Sequence, residues 1–276
     1  MARKIAFVTG ASNVTGKAIA IELARAGYDV GFTYTSNEDG AKRTQKELEA
    51  LGAKCKYYYM NTRELEPSIA TLNEFCNEFG PLDTMVNNVS ITTEWSFLDV
   101  TPDGFDRLSE INIRGTYFMM QAAAKIMIAG NKHGAIINIA SVHAIGTLAK
   151  SSVYATTKAA ICRMTRSVAL ELAPYGINVN AFAPGYVNME TSDIYKDPEK
   201  LAEYHKITET MAHYMPKHRW QKPQEIGQCV VFLASEAARF IVGQTIFAEG
   251  GVTIPIGSQP DWPQIYGFKD IDFDAE

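Results

Sequence analysis

Apolar residues follow two rhythms along this chain. Short, nearly unbroken apolar runs stand at residues 4–9, 28–34, 53–60, 82–88, 134–141, 177–184 and 244–251. Between them lie longer stretches, at 16–26, 38–51, 64–79, 103–129, 152–173, 193–214 and 223–234, where apolar positions recur at helical spacing. The first rhythm predicts strands buried on both faces, the second amphipathic helices. In 16–26, Ile19, Leu23 and Ala26 share one face, and Gly27 stops the helix. Gly52 ends the next helix, Gly80–Pro81 the third, and Pro223 opens the last. Strands alternating with helices predict an α/β fold, a parallel sheet of about seven strands covered by helices on both faces. Right-handed crossovers make that sheet doubly wound. No linker or internal repeat divides it, so a single domain is expected over 1–255.

In such a sheet a ligand lies across the carboxyl ends of the strands. Those ends carry Thr9 and Gly10, Thr35 and Ser36, Asn61, Asn87 and Asn88, Ser141, and Pro184 and Gly185. The first strand runs into TGASNVTG (9–16) and then a helix, which aims backbone N–H groups and a helix dipole at an anion. Gly10 allows the tight turn, Gly16 allows close helix–sheet packing, and Ser12, Asn13 and Thr15 add donors. The spacing GxGxxG is absent, so this loop alone is balanced between a nucleotide cradle and an ordinary turn. Val14 sharpens the question, because a β-branched residue is strained at positive φ. If the loop takes another path, Val14 packs against the bound ligand. The second strand ends FTYTSN, with no acid before Glu38. A carboxylate there would pair with the ribose hydroxyls of NAD and repel the extra phosphate of NADP. Thr35 and Ser36 can donate to that phosphate, which favours NADP over NAD, although no arginine stands beside them.

Composition narrows the partners. With 46% hydrophobic and 21% charged residues, the 276-residue chain reads as ordered and large enough for a sizeable core. A net charge of −5 without a basic patch argues against nucleic acid. The most apolar helix, 115–130, is interrupted by Gln121 and Lys125 and is shorter than a membrane span, so no membrane partner is expected. The run IAFV after Arg3 and Lys4 is too short for a secretory leader. Cys55, Cys76, Cys162 and Cys229 are scattered, with no paired spacing for a metal, and read as small buried residues of a cytoplasmic protein.

The most pointed local pattern is SSVYATTKAAI at 151–161. Tyr154 and Lys158, four apart on a helix, share a face. Ser141 ends the strand upstream, and Asn112 lies within the preceding helix. With TGASNVTG (9–16), NNVS (87–90), INIRG around Asn112, IINIAS (136–141), YATTK (154–158), NVNAFAPGYV (178–187) and PQEIGQCVVFLAS (223–235), the chain resembles the classical short-chain dehydrogenase/reductase family along nearly its whole length. The resemblance implies a Rossmann-like fold and a catalytic set of Asn112, Ser141, Tyr154 and Lys158. Tyr154 would exchange a proton with the substrate oxygen while hydride passes to or from a nicotinamide. Ser141 would hold that oxygen, Lys158 the nicotinamide ribose, and Asn112 a helix bend and a water. An ammonium near 4 Å, worth roughly 4 kcal/mol at an effective dielectric of about 20, is expected to lower the phenol's pKa by ~3 units. The cofactor contacts implied are Gly10, Ser12, Asn13, Thr15, Gly16, Thr35, Ser36, Asn61, Asn88, Tyr154, Lys158, Pro184, Gly185 and Val187, with no metal.

The chain departs from the family pattern at Val14 and Thr15, at Val89 and Ser90, at Met60 and Asn61, and at Met189. These departures bear on cofactor affinity and leave the reactive four intact. They also motivate an alternative, a catalytically silent cofactor-sensing or scaffold protein on the same fold. The enoyl reductases of the superfamily space tyrosine and lysine more widely, which ranks them lower.

The family places a substrate lid over about 188–220. Here that stretch holds Met189, Tyr195, Tyr204, Met211, Tyr214, Met215 and Trp220, suited to a bulky, partly apolar alcohol or ketone, or simply to packing the lid on the body. His143 and Trp95 stand where they can line the pocket. The tail at 256–276 reads as a lid or interface strap and loosely suggests hydroxysteroid or sugar and polyol substrates. The resemblance also implies a homo-oligomer, a tetramer built on the helices holding Asn112 and Tyr154.

Overall fold

The computed structural model describes residues 3–213 and 215–254. The tail at 256–276 and Tyr214 therefore lie outside the described residues. Seven strands form one sheet: β1 (Lys4–Val8), β2 (Tyr28–Tyr34), β3 (Cys55–Tyr59), β4 (Thr84–Asn87), β5 (Ala135–Ile139), β6 (Asn178–Pro184) and β7 (Thr245–Ala248). All pairings are parallel, in the order β3-β2-β1-β4-β5-β6-β7. The chain reverses direction across the sheet between β1 and β4, and a crevice opens at their carboxyl ends.

The helices are α1 (Val14–Arg25), α2 (Glu38–Ala50), α3 (Leu65–Phe79), α4 (Pro102–Ser109), α5 (Thr116–Ala129), α6 (Ser152–Leu172), α7 (Pro198–His213) and α8 (Pro223–Leu233). Period-two alternation along the strands feeds two cores. Ala6, Val8, Val30, Phe32, Val86, Ile137 and Phe182 face α1, α2 and α8. Ile5, Phe7, Met85, Ile136 and Val179 face Leu72 and Phe75 of α3 and the methionines of α5. Gly31 leaves the room for Phe75: a Cβ there would stand 2.5 Å from the ring.

A polar ladder crosses this apolar interior. Asn87 Nδ2 donates to Asn138 Oδ1 at 2.9 Å, and Asn138 Nδ2 donates to Thr165 Oγ1 at 2.9 Å. Asn87 and Asn138 are opposite one another in the β4–β5 register.

Two segments differ from the sequence expectation. The long helix over 103–129 is three pieces, because Glu110–Gly115 winds as a π-turn between α4 and α5. Gly115 brings this turn against Thr62, which a Cβ would meet at 2.9 Å. The helix over 193–214 is a short 3-10 turn (Asp193–Lys196) followed by α7, because Pro198 has no N–H with which to continue the turn before it.

Candidate active site

Three elements converge at the crevice. Ser141 sits two residues past β5, 7% exposed, and its Oγ accepts from the His143 amide at 3.2 Å. Tyr154 and Lys158 come from consecutive turns of α6. The Lys158 ammonium stands 5.5 Å from the centre of the Tyr154 ring, and Ser141 is near enough to the phenol to act on its acidity. Lys158 is 2% exposed, and its Nζ donates to the Ile139 carbonyl at 2.9 Å.

Asn112 holds these parts together from within the π-turn. Its Oδ1 accepts from Ile91 N at 2.9 Å. Its Nδ2 donates to Ile91 O at 2.9 Å and to Thr157 Oγ1 at 3.0 Å. Thr157 in turn donates to the Tyr154 carbonyl at 2.7 Å. The loop after β4, the π-turn and α6 thus share one buried side chain. Thr157, lying between the tyrosine and the lysine, was not singled out from sequence; its signal is a hydroxyl on the inward face of α6.

The electrostatics differ from the expected simple pairing. Burial pushes the Tyr154 phenol above its ordinary 10, with the Ser141 hydrogen bond pulling the other way. Burial also pulls the Lys158 ammonium down to about 8. Desolvation penalises each charged form, so the expected lowering of the phenol is outweighed by its burial. Its ground state is a neutral phenol able to give a proton. His143, its ring 5.3 Å from that of Tyr154, is held below 6.5 by burial and then by the charge of Lys158.

The strand–helix loop has the shape of an anion cradle. Gly10 has φ of +70°, and a Cβ there would stand 2.9 Å from Val89 Cγ2. At Gly16 a Cβ would lie 2.2 Å from the Gly10 carbonyl oxygen. Val14 opens α1 as its first residue, capped by Asn13, and is absent from the residues with positive φ. The loop therefore needs no glycine there, and the buried isopropyl group adds to the α1 packing. The amides of Gly10 and Ala11 are taken by Thr33. Among the described residues none accepts from the amides of Ser12, Asn13, Thr15 or Gly16, which remain for an anion. The Ser90 hydroxyl is likewise buried with no partner among the described residues. These groups fit the phosphates and ribose of a dinucleotide.

Other residues in the expected cofactor set serve the loops. Asn88 Nδ2 donates to the carbonyls of Thr9 and Gly10, each at 3.0 Å, and so shapes the cradle from behind. Thr35 Oγ1 donates to Met60 O at 2.8 Å, which leaves its oxygen as an acceptor; Ser36 is exposed beside it. Asn61 donates to Glu64 at 2.8 Å at the head of α3. Pro184 ends β6, Gly185 passes so close to Glu249 that a Cβ would stand 2.9 Å from its Cα, and Val187 pairs with Gln221.

The lid aromatics largely contact one another. Tyr204 lies 4.4 Å from Tyr195 and 5.7 Å from Trp220, between ring centres. Its hydroxyl accepts from Met189 N and donates to Asn188 Oδ1. Trp95 packs on Gly104 and donates its amide to Lys150 O. Among the described residues no group of three metal-ligating side chains occurs, and no helix is long and apolar enough to cross a membrane.

Comparison with known proteins places this geometry. A family model described as enoyl-(acyl carrier protein) reductase matches residues 10–253. The 3-oxoacyl-[acyl-carrier-protein] reductase FabG of Staphylococcus aureus is 34% identical over 250 residues, covering 90% of this chain and 98% of that protein. The crystal structure of acetoin dehydrogenase YohF from Salmonella typhimurium matches with a TM-score of 0.83 at 30% identity, covering 94% of this chain and 98% of that one. Acetoin dehydrogenase from Enterobacter cloacae matches with a TM-score of 0.82 at 30% identity, over 95% and 98% of the two chains.

Proposed function

The chain belongs to the short-chain dehydrogenase/reductase family, an oxidoreductase family, and from that premise we propose that it reduces a ketone to a secondary alcohol with NADPH. The observation that carries this reading is the buried Lys158 amine 5.5 Å from the Tyr154 ring and bonded to the Ile139 carbonyl, two residues before Ser141. The cradle amides of Ser12, Asn13, Thr15 and Gly16 would hold the cofactor's phosphates, and Ser36 would donate to the 2′-phosphate. When bound, the nicotinamide supplies the hydride.

The protein's own groups handle the proton. Tyr154, kept neutral by burial, donates to the ketone oxygen, and the Ser141 hydroxyl fixes that same oxygen. The phenolate left behind faces Lys158. The charged amine, over the face of the same ring, would stabilise that negative charge. The Ile139 carbonyl and the Asn112–Thr157 link hold donor and amine in place.

The substrate class best supported is a ketone with a second oxygen nearby. The relatives act on 3-oxoacyl chains and on acetoin, both of that kind. His143, neutral at pH 7, beside the tyrosine ring and near the Thr147 hydroxyl, would hydrogen-bond the second oxygen. Purified protein is offered NADPH with 3-oxoacyl thioesters, diacetyl, a ketosteroid, a ketose and an enoyl thioester. Ketone turnover that disappears in Tyr154→Phe, with NADPH binding retained, supports the reading. Reduction of the enoyl thioester alone, or full turnover by the Phe variant, overturns it.

A homo-oligomer, tetramer first, belongs to the same proposal. Phe105, Tyr117 and Leu170 stand exposed on α4, α5 and α6 and support it.

A further inference from the structure

No arginine stands at the end of β2, but one lies on the helix that follows. Arg43, in the second turn of α2, reaches across to the first turn of the lid. There Asp193 Oδ2 accepts from Arg43 Nη2 at 2.5 Å and from Asn37 Nδ2 at 2.9 Å, while Oδ1 accepts from Lys196 Nζ at 2.7 Å. Asn37 Nδ2 also lies 3.4 Å from the Ser12 carbonyl oxygen. One residue before Asp193, the buried Ser192 Oγ accepts from Asn13 Nδ2 at 3.3 Å. The lid is thus fastened to the phosphate cradle, to the β2–α2 loop and to α2. Ser12, Asn13, Arg43, Asp193 and Lys196 border one cleft of about 440 Å3, whose charged lining is Lys17, Arg25, Arg43 and Lys196 against Glu47 and Asp193. Lys17 is itself paired with Glu47 at 2.6 Å.

We propose that Arg43 and Asn37 form the seat of the cofactor's 2′-phosphate, and that Asp193 fills this seat as an internal anion until the phosphate displaces it and releases the first turn of the lid. The inference rests on the cofactor reading above. Asn37 ends the loop that begins with Thr35 and Ser36 and touches the cradle at Ser12, so its amide lies between the two segments that would hold the adenosine end. A carboxylate and a phosphate cannot share one guanidinium without like-charge repulsion. The phosphate brings three acceptor oxygens and nearly two charges, which favours it for the guanidinium fork and the neighbouring amide. Asp193 is ionised throughout the neutral range, since hydrogen bonds from Lys196, then Asn37 and Arg43, hold its carboxyl at about 2. Displacement therefore needs no proton. NADH has no such phosphate and leaves the lid fastened. Discrimination between the cofactors thus resides in a contact 150 residues apart in sequence.

The test is calorimetric titration of the full chain with NADPH and, separately, NADH, for wild type, Arg43→Ala and Asp193→Asn, with thermal melts to verify folding. Arg43→Ala is expected to raise the NADPH Kd roughly tenfold, about 1.4 kcal/mol, and to change the NADH Kd less than about twofold. Asp193→Asn removes the competing anion and is expected to lower the NADPH Kd severalfold while leaving NADH unchanged. A loss shared equally by both nucleotides in Arg43→Ala, or an unchanged or weaker NADPH affinity in Asp193→Asn, overturns the exchange. Wild type that binds neither nucleotide overturns the cofactor reading instead.

Discussion

Replacing Asn112 by alanine removes three hydrogen bonds from a side chain with no exposed surface. Each contributes about 1 kcal/mol net, and orphaned amides at Ile91 add to that where water does not replace the lost partner. The expected loss is therefore about 3 kcal/mol, a large share of the 5–15 kcal/mol typical of a domain. Urea unfolding followed by circular dichroism measures it as a lower midpoint with an unchanged slope. Turnover is expected to fall more than tenfold, because Thr157 and the loop at Ile91 lose their tie to Tyr154. Asn112→Asp separates donor from volume. Its carboxylate keeps the acceptor for Ile91 N but, when ionised, faces the Ile91 carbonyl with no proton to offer. Burial raises a carboxyl's pKa, so below that raised value the group regains a donor. This variant should approach wild-type stability at pH 5 and fall away by pH 8. An Asn112→Ala protein that unfolds at the wild-type urea concentration would falsify the account of this side chain as the tie between three elements.

Two further expectations follow from the site. Lys158 has a folded-state pKa of about 8, below the 10.5 of the free side chain, so its burial cost is full below pH 8 and is progressively relieved between 8 and 10.5. The stability advantage of Lys158→Met over wild type, read as a difference in Tm, should shrink across that window. kcat/KM for ketone reduction should decline above about pH 8 as the amine loses its charge; a flat profile to pH 10 contradicts the role given to Lys158. In the cradle, Gly16→Ala sets a methyl 2.2 Å from the Gly10 oxygen and 2.7 Å from Asn88 Nδ2, so it should weaken NADPH binding more than tenfold. Val14→Gly should cost about 1–2 kcal/mol of stability, since it removes a buried side chain from a helical position that carries no strain. A Val14→Gly protein more stable than wild type contradicts the loop path.

How much of this was legible in the sequence depends on the range of each interaction. The strands were legible because apolar runs such as IAFV and AIINIA have no other economical burial, and the glycines at 27, 52 and 80 mark helix ends locally. The four-residue spacing put Tyr154 and Lys158 on one helix face, while their grouping with Ser141 as a reactive set came from the family resemblance. The π-turn at EINIRG was not legible, because nothing in those residue types separates it from an α-helical turn. Nor was the neutral state of the phenol, since a sequence shows the nearby amine but not the depth at which both are buried. The clasp between Arg43 and Asp193 depends on how the lid folds back and has no local signature. The path at Val14 was open from sequence alone, and its capped helical start closes it.

The asparagine ladder across β4 and β5 has a consequence for assembly. Parallel strands in this order meet only after long stretches of chain have been wound, and apolar faces alone tolerate several alignments. A slip of one residue between β4 and β5 would strand the Asn87 and Asn138 amides in an oily interior without each other. The ladder thus makes the native β4–β5 alignment the one in which these buried amides find each other, a penalty on slippage that leucines at the same positions would not impose.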